Sequence, residues 1–241
     1  MLLNAGYGIV KEELPVSATK HILAPNTPYA TPYYVINGHR PGPVFMVVSG
    51  IHGNEPASIR AAQALAGRFR RRELVLAGGR LIIVPLVNQR AYRQKSRGVP
   101  DLNRTFPHVS ASRAGHPLSA ALFRLARQHR PAWYLDLHEA NGLSQLNRKR
   151  VGQTLLVSQG TSAAAAARRI IIKMNRKVGI TAHRFNIKHR ERSGTSRMAV
   201  QQLLGARAVT VETCWSLDFA LRVKYQQQMV SHFLKRAGMI G

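Results

Sequence analysis

Residues 44–56 read VFMVVSGIHGNEP. The first six form a short, almost wholly apolar run, the pattern of a strand covered on both faces. Gly50 ends it. His52 and Glu55 follow three residues apart, and Pro56 suits the first turn of a helix, where a missing N–H costs nothing. A histidine and a glutamate so placed, at the C-terminal end of a strand, can point at one centre.

The same pattern extends along the chain. Residues 81–87 (LIIVPLV), 132–137 (AWYLDL), 154–158 (TLLVS) and 207–212 (RAVTVE) read as further strands. Helices are expected over 56–69, 117–129, 161–177, 196–204 and 218–237, with Pro117 in a first turn and Thr161 or Ser162 as a cap. This alternation predicts an α/β fold with a mixed, mostly parallel central sheet flanked by helices. Residues 88–116, poor in apolar side chains, read as a long loop of the kind that carries function.

Composition narrows the function. The chain has 241 residues, 36 Lys+Arg and only 10 Asp+Glu, for a net charge of +26. Such a field favours anionic partners. The single cysteine, Cys214, excludes an internal disulfide framework and reads as a small buried hydrophobe. No apolar run approaches the roughly 20 residues of a membrane span. The opening residues MLLNAGYGIVKEEL lack the features of a signal peptide, so the expected location is the cytoplasm, with an extracellular one as the alternative if the sequence is part of a longer chain.

The scarce acids fall at strand ends. After AWYLDL come His138 and Glu139, and in open α/β sheets ligands bind beyond the carboxyl ends of strands. His52 and Glu55 from one such end, with His138 from another, can make a His₂Glu zinc site with a fourth position left for water. In the polar loop lies Asp101-Leu102-Asn103-Arg104, where an amide beside a guanidinium suits recognition of a carboxylate. Strand AVTVE delivers Glu212, a carboxylate able to act as general base near an activated water.

His52-Gly53-Asn54-Glu55, Asp101-Leu102-Asn103-Arg104, Asp136-Leu137-His138 and Val211-Glu212 occur in an order that resembles the succinylglutamate desuccinylase/aspartoacylase family of the zinc carboxypeptidase superfamily. The resemblance spans roughly residues 30–215. It implies a zinc carboxypeptidase-like fold and a zinc-dependent deacylase or peptidase with one Zn²⁺ per chain. The ligands would be His52, Glu55 and His138, and Glu212 the general base. Asn103 and Arg104 would hold a substrate carboxylate, and Asp136 would orient a ligand histidine. An upstream arginine would polarise the scissile carbonyl: Arg97 fits best, with Arg93 as the alternative.

The chain also departs from the family. Only 29 residues follow Glu212, too few for a C-terminal β extension, so residues 1–241 are expected to form a single catalytic domain. No Tyr lies between Tyr134 and Tyr225, where the superfamily's carboxypeptidases carry one before the catalytic Glu. The basic segment 183–197 (HRFNIKHRERSGTSR) is a candidate substrate-facing loop in its place. Glu139 is unassigned, and an ion pair with an Arg is its default reading. Trp215 is placed either lining the site or packing beneath it, and His108 and His116 in the loop beyond it. The expected substrate is a small carboxylate-bearing molecule, or else an acidic peptide or a cell-wall-type anionic polymer. The rival reading is a basic nucleic-acid-binding protein. The charge permits non-specific binding of that kind, but no nucleic-acid-binding motif accompanies it.

Overall fold

In the computed structural model, which describes residues 17–241, side chains along each central strand alternate between two apolar layers. Phe45 and Val47 of β3 (Arg40–Ser49) pack into one core, while Met46 and Val48 enter the other. Leu81 and Ile83 of β4 (Gly78–Val84) divide from Ile82 and Val84 in the same way. Trp133 and Leu135 of β5 (Trp133–Ala140) divide likewise from Tyr134. That is why these strands read as unbroken apolar runs. A period of two persists, but both faces are covered.

The first core is closed by α1 (Pro56–Arg70), α4 (Ser162–Asn175) and α6 (Phe219–Arg236), through residues such as Leu65, Ile170 and Phe233. The second is closed by α3 (Pro117–His129) and α5 (Ser196–Leu204), through Leu122 and Val200. Cys214 is fully buried in the first core. Thr161 caps α4, its hydroxyl accepting from the Ala164 N–H at 3.2 Å. Among the described residues, no helix is long and apolar enough to cross a membrane.

The eight-stranded sheet has the order β1-β2-β4-β3-β5-β8-β6-β7. Its centre, β4-β3-β5-β8, is parallel, with β8 spanning Arg207–Cys214. β1 (Ser17–Leu23), β2 (Thr31–Asn37) and β6 (Thr154–Val157) bring in the antiparallel pairings, and β7 (Asn186–His189) lies parallel to β6 at the far edge. The expected mixed, mostly parallel sheet is what forms.

Three strands go beyond the sequence reading. β1 and β2 form an antiparallel hairpin on one edge, and β7 is a four-residue edge strand. None is an unbroken apolar run: β1 and β7 are edge strands, and β2, though paired on both sides, is only partly covered on its faces. Residues 88–116 are also more ordered than a plain loop. They hold α2 (Gln89–Arg93), capped by Asn88, and a 3-10 turn at Leu102–Arg104, and Leu102 and Phe106 anchor the segment in the second core. The reading of the first residues as free of signal features falls outside the described residues.

Candidate metal centre and active-site cavity

The parallel centre of the sheet brings three strand ends side by side. His138 lies in register with Glu212 on the neighbouring strand, and Ser49, three residues before His52, is in register with Leu137. Gly50, at φ +68°, turns the chain out of β3. Gly53 then passes so close to α2 that a Cβ would sit 2.0 Å from the Ala91 carbonyl carbon. Its N–H donates to the Ser96 carbonyl at 2.9 Å, tying the HGNE turn to the loop that carries Arg97 and Asp101. Gly53→Ala should therefore displace His52 and Glu55 together. The expected result is a lower melting temperature and lost metal binding. A variant that matches the parent in both would show that the turn tolerates a side chain.

His52, Glu55 and His138 are all buried, and their ligand atoms lie within 4.8 Å of one another. Glu55 sits between the rings, with Oε1 2.7 Å from His52 Nδ1 and Oε2 2.8 Å from His138 Nδ1. The opposite ring nitrogens meet other carboxylates. His52 Nε2 is 2.9 Å from Asp101 Oδ1, and His138 Nε2 is 3.0 Å from Asp136 Oδ1. Two imidazoles whose Nδ1 atoms converge on a carboxylate, each held from behind by an acid, form a donor set suited to zinc. Burial pushes the Glu55 carboxyl up, but His138 and His52 outweigh it and bring it down to about 2. Asp101 is likewise held well below the usual carboxylate range, burial being outweighed by His52, Arg97 and Arg104. Burial lowers His138, and Asp136 and Glu55 raise it well above its ordinary value.

These groups face a cavity of about 260 Å³, also lined by Arg97, Asn103, Arg104, Glu212 and Trp215. Glu212 Oε2 is buried there without a hydrogen-bond partner. Burial, with Glu55 and Asp136 nearby, pushes Glu212 up to about 8 against the pull of His138 and Arg97. Asn103 is fixed by the Ser196 N–H, which donates to its Oδ1 at 2.9 Å, while its Nδ2 lies 3.3 Å from His138 Nε2. Arg104 donates to the Asn103 carbonyl, which orients its guanidinium. Arg97 pairs with Asp101 Oδ2 at 3.0 Å and reaches to 4.0 Å from Glu55 Oε1. Arg93 ends α2 and does not line the cavity. Asp136 is buried and also accepts from Ser196 Oγ.

Not every candidate reaches the cavity. His108 is held in a bridge with Ala111, and His116 caps α3; neither lines it. Several residues that do matter to its geometry were not assigned from sequence. Asp101, quoted only as part of a motif, holds His52 and Arg97 together. Glu139 makes the ion pair with an arginine that was its default reading, and the partner, which the sequence did not identify, is Arg222. Arg190, Arg192, Thr195 and Arg197 of the basic segment 183–197 form one wall. That segment was the expected candidate for a substrate-facing loop, on its polar, basic composition, although its individual residues were not singled out.

The fold and cavity define an α/β protein with a buried His₂Glu donor set at the strand ends of a mostly parallel sheet. The profile of the succinylglutamate desuccinylase/aspartoacylase catalytic domain matches residues 41–235, and the chain belongs to that family. No curated protein sequence matches it. Among solved structures it is similar to the cell shape determinant protein Csd4 of Helicobacter pylori, at 19% identity and a TM-score of 0.71 over 92% of this chain and 56% of that one. It is also similar to a succinylglutamate desuccinylase/aspartoacylase from Rhodobacter sphaeroides, at 19% identity and 0.65 over 88% and 60%. A third likeness is the ectoine utilization protein EutE (DoeB) of Ruegeria pomeroyi, at 21% identity and 0.62 over 88% and 62%. The chain thus spans little more than half the length of these proteins.

Proposed function

We propose that this chain is a zinc-dependent hydrolase that cleaves an amide bond in an N-acyl amino acid or small peptide bearing a carboxylate. One observation carries the reading: a buried carboxylate without a partner, Glu212, shares a cavity with a convergent His₂Glu donor set. Family membership supports it, as does the likeness to Csd4, described as a D,L-carboxypeptidase.

In this reading His52, Glu55 and His138 hold the ion. Bound zinc supplies a Lewis acid for the scissile carbonyl and makes water acidic enough to attack near neutral pH. The remaining steps belong to the chain itself. Glu212, raised by burial in the metal-free site but ionised beside a bound cation, takes the proton of the attacking water and returns it to the leaving amine. Arg97 faces the developing oxyanion, a contact typically worth about 10²–10³ in rate. Asn103 and Arg104 receive the substrate carboxylate and so fix the carbonyl in place. Asp101 and Asp136 hold the two histidines in the required tautomer and orientation.

The test is metal analysis of the purified protein, followed by hydrolysis assays on a panel of N-acyl amino acids and peptides. Zinc together with release of free amine supports the reading. A metal-free protein that binds DNA in a salt-sensitive way would overturn it in favour of the nucleic-acid alternative.

An acidic peptide or polymer is favoured as substrate by a second observation. Arg190 and Arg192 stand exposed in the cavity wall with no ion-pair partner among the described residues. Burial lowers Arg104, and Arg192, Arg97 and Arg190 push it the same way against Asp101. Like charges gathered at a cavity mouth are relieved by an anionic ligand. The double variant R190S/R192S should raise KM for acidic peptides about 3- to 10-fold, as expected for the loss of two exposed ion pairs, and leave kcat nearly unchanged. Neutral peptides should be unaffected. An equal change for both classes would remove the rim from substrate selection.

A further inference from the structure

Glu139 is a buried carboxylate that the proposed mechanism leaves unused. It directly follows His138, yet its side chain is fully buried and turned toward the start of α1. Oε2 accepts from the Ala57 N–H at 2.7 Å, and Oε1 accepts from Arg222 of α6. In the opposite direction, the Glu139 N–H donates to Glu55 Oε2 at 3.1 Å. Beside the His138–Glu55 contact, two hydrogen bonds made by Glu139 therefore cross between the segments 55–57 and 138–139. One holds the ligand carboxylate, and the other holds the backbone two residues beyond it.

The local sequence explains why α1 needs this partner. Pro56 has no N–H, and the Glu55 side chain, at the N-cap, makes no capping bond because both its oxygens face histidines. Ala57 is fully buried, so its N–H is the first orphan donor of the helix and has no water to turn to. Glu139 supplies from another strand the cap that Glu55 does not. A buried carboxylate needs a counter-charge, which Arg222 provides. One turn along α6, Gln226 Nε2 donates to the His138 carbonyl at 2.7 Å and to Thr213 Oγ1 at 3.1 Å. A single face of α6 thus grips the end of β5 at two successive residues. With both oxygens of Glu139 engaged in this way, neither is available to take a proton from the reacting water.

We infer that Glu139, held by Arg222, is a positioning residue that sets the spacing between the Glu55 and His138 segments and thereby the affinity of the metal site. The inference rests on the zinc reading above. Residues that hold metal ligands typically influence metal affinity or activity by about 10–100-fold.

Zinc affinity by chelator competition, with melting temperature measured on the metal-free protein, tests this in two double variants. E139A/R222M removes the clasp without leaving a buried charge. E139Q/R222Q is neutral but able to rebuild both bonds. The expected result is about 10- to 100-fold weaker zinc binding for E139A/R222M and affinity within about threefold of the parent for E139Q/R222Q. Equal affinity of E139A/R222M and the parent overturns the inference. If E139A/R222M does not fold, E139D decides. It keeps the charge on an arm too short to span Ala57 and Arg222, so it should also bind zinc more weakly, and unchanged affinity would count against the brace. The two readings fail differently. A parent protein that takes up no zinc sinks the functional reading and the brace with it. A parent that binds zinc no more tightly than E139A/R222M sinks the brace alone.

Discussion

Glu212→Gln is expected to lower kcat by about 10³-fold while zinc content stays at roughly one ion per chain. The amide keeps the shape of the side chain but cannot take a proton, so the substitution removes the base and little else. Glu212 stands at the end of β8 beside His138, with one oxygen buried and unpartnered. Replacing an unpartnered buried carboxyl, which burial already pushes toward its neutral form, by a neutral isostere is not expected to lower the melting temperature, so a folded, metal-loaded and inactive protein should result. Steady-state kinetics on the best substrate of the panel, with metal analysis of the same sample, decides the matter. Undiminished turnover would remove Glu212 from the mechanism. Loss of zinc would instead make it a ligand, and would reopen the assignment of Glu55.

Glu212 and the histidines were legible in sequence as candidates because they sit where strands end. A parallel strand buried on both faces must be nearly all apolar, so its first polar residues mark the point where it leaves the core. That position drew attention to His52, His138 and Glu212, and a net charge of +26 makes each remaining carboxylate more informative still, but their proposed roles came from the four motifs taken together in the order of the family. The edge strands β1 and β7, and the partly covered β2 next to β1, were not legible, since a half-covered strand carries mixed side chains that resemble loop. An ion pair for Glu139 was the default reading, but which arginine it would meet was hidden. Its partner Arg222 lies 83 residues away on a helix whose placement only the packed structure shows. Arg190 and Arg192 reach the cavity wall because β7 joins the sheet, so their position depends on the least legible strand of all.

His52→Ala should bring zinc content from about one ion per chain to near zero and abolish turnover, whereas Asp101→Asn should weaken zinc only about 10–100-fold. The contrast separates a ligand from the residue that holds it. His52 meets Glu55 through Nδ1 and Asp101 through Nε2, so removing the ring deletes a donor outright. In Asp101→Asn the amide still offers an oxygen to Nε2 but no longer carries the charge that favours a donating Nε2–H. The substitution also frees Arg97, whose 3.0 Å pair with Asp101 aims the guanidinium along the cavity. Asp101→Asn should therefore lose kcat even at saturating zinc, through a misdirected Arg97, whereas a defect confined to metal affinity would be fully restored by added zinc. Complete rescue would confine Asp101 to holding His52. Full zinc occupancy in His52→Ala would overturn the donor set itself, because the remaining pair, Glu55 and His138, offers only two of the three protein ligands that a catalytic zinc site of this kind requires.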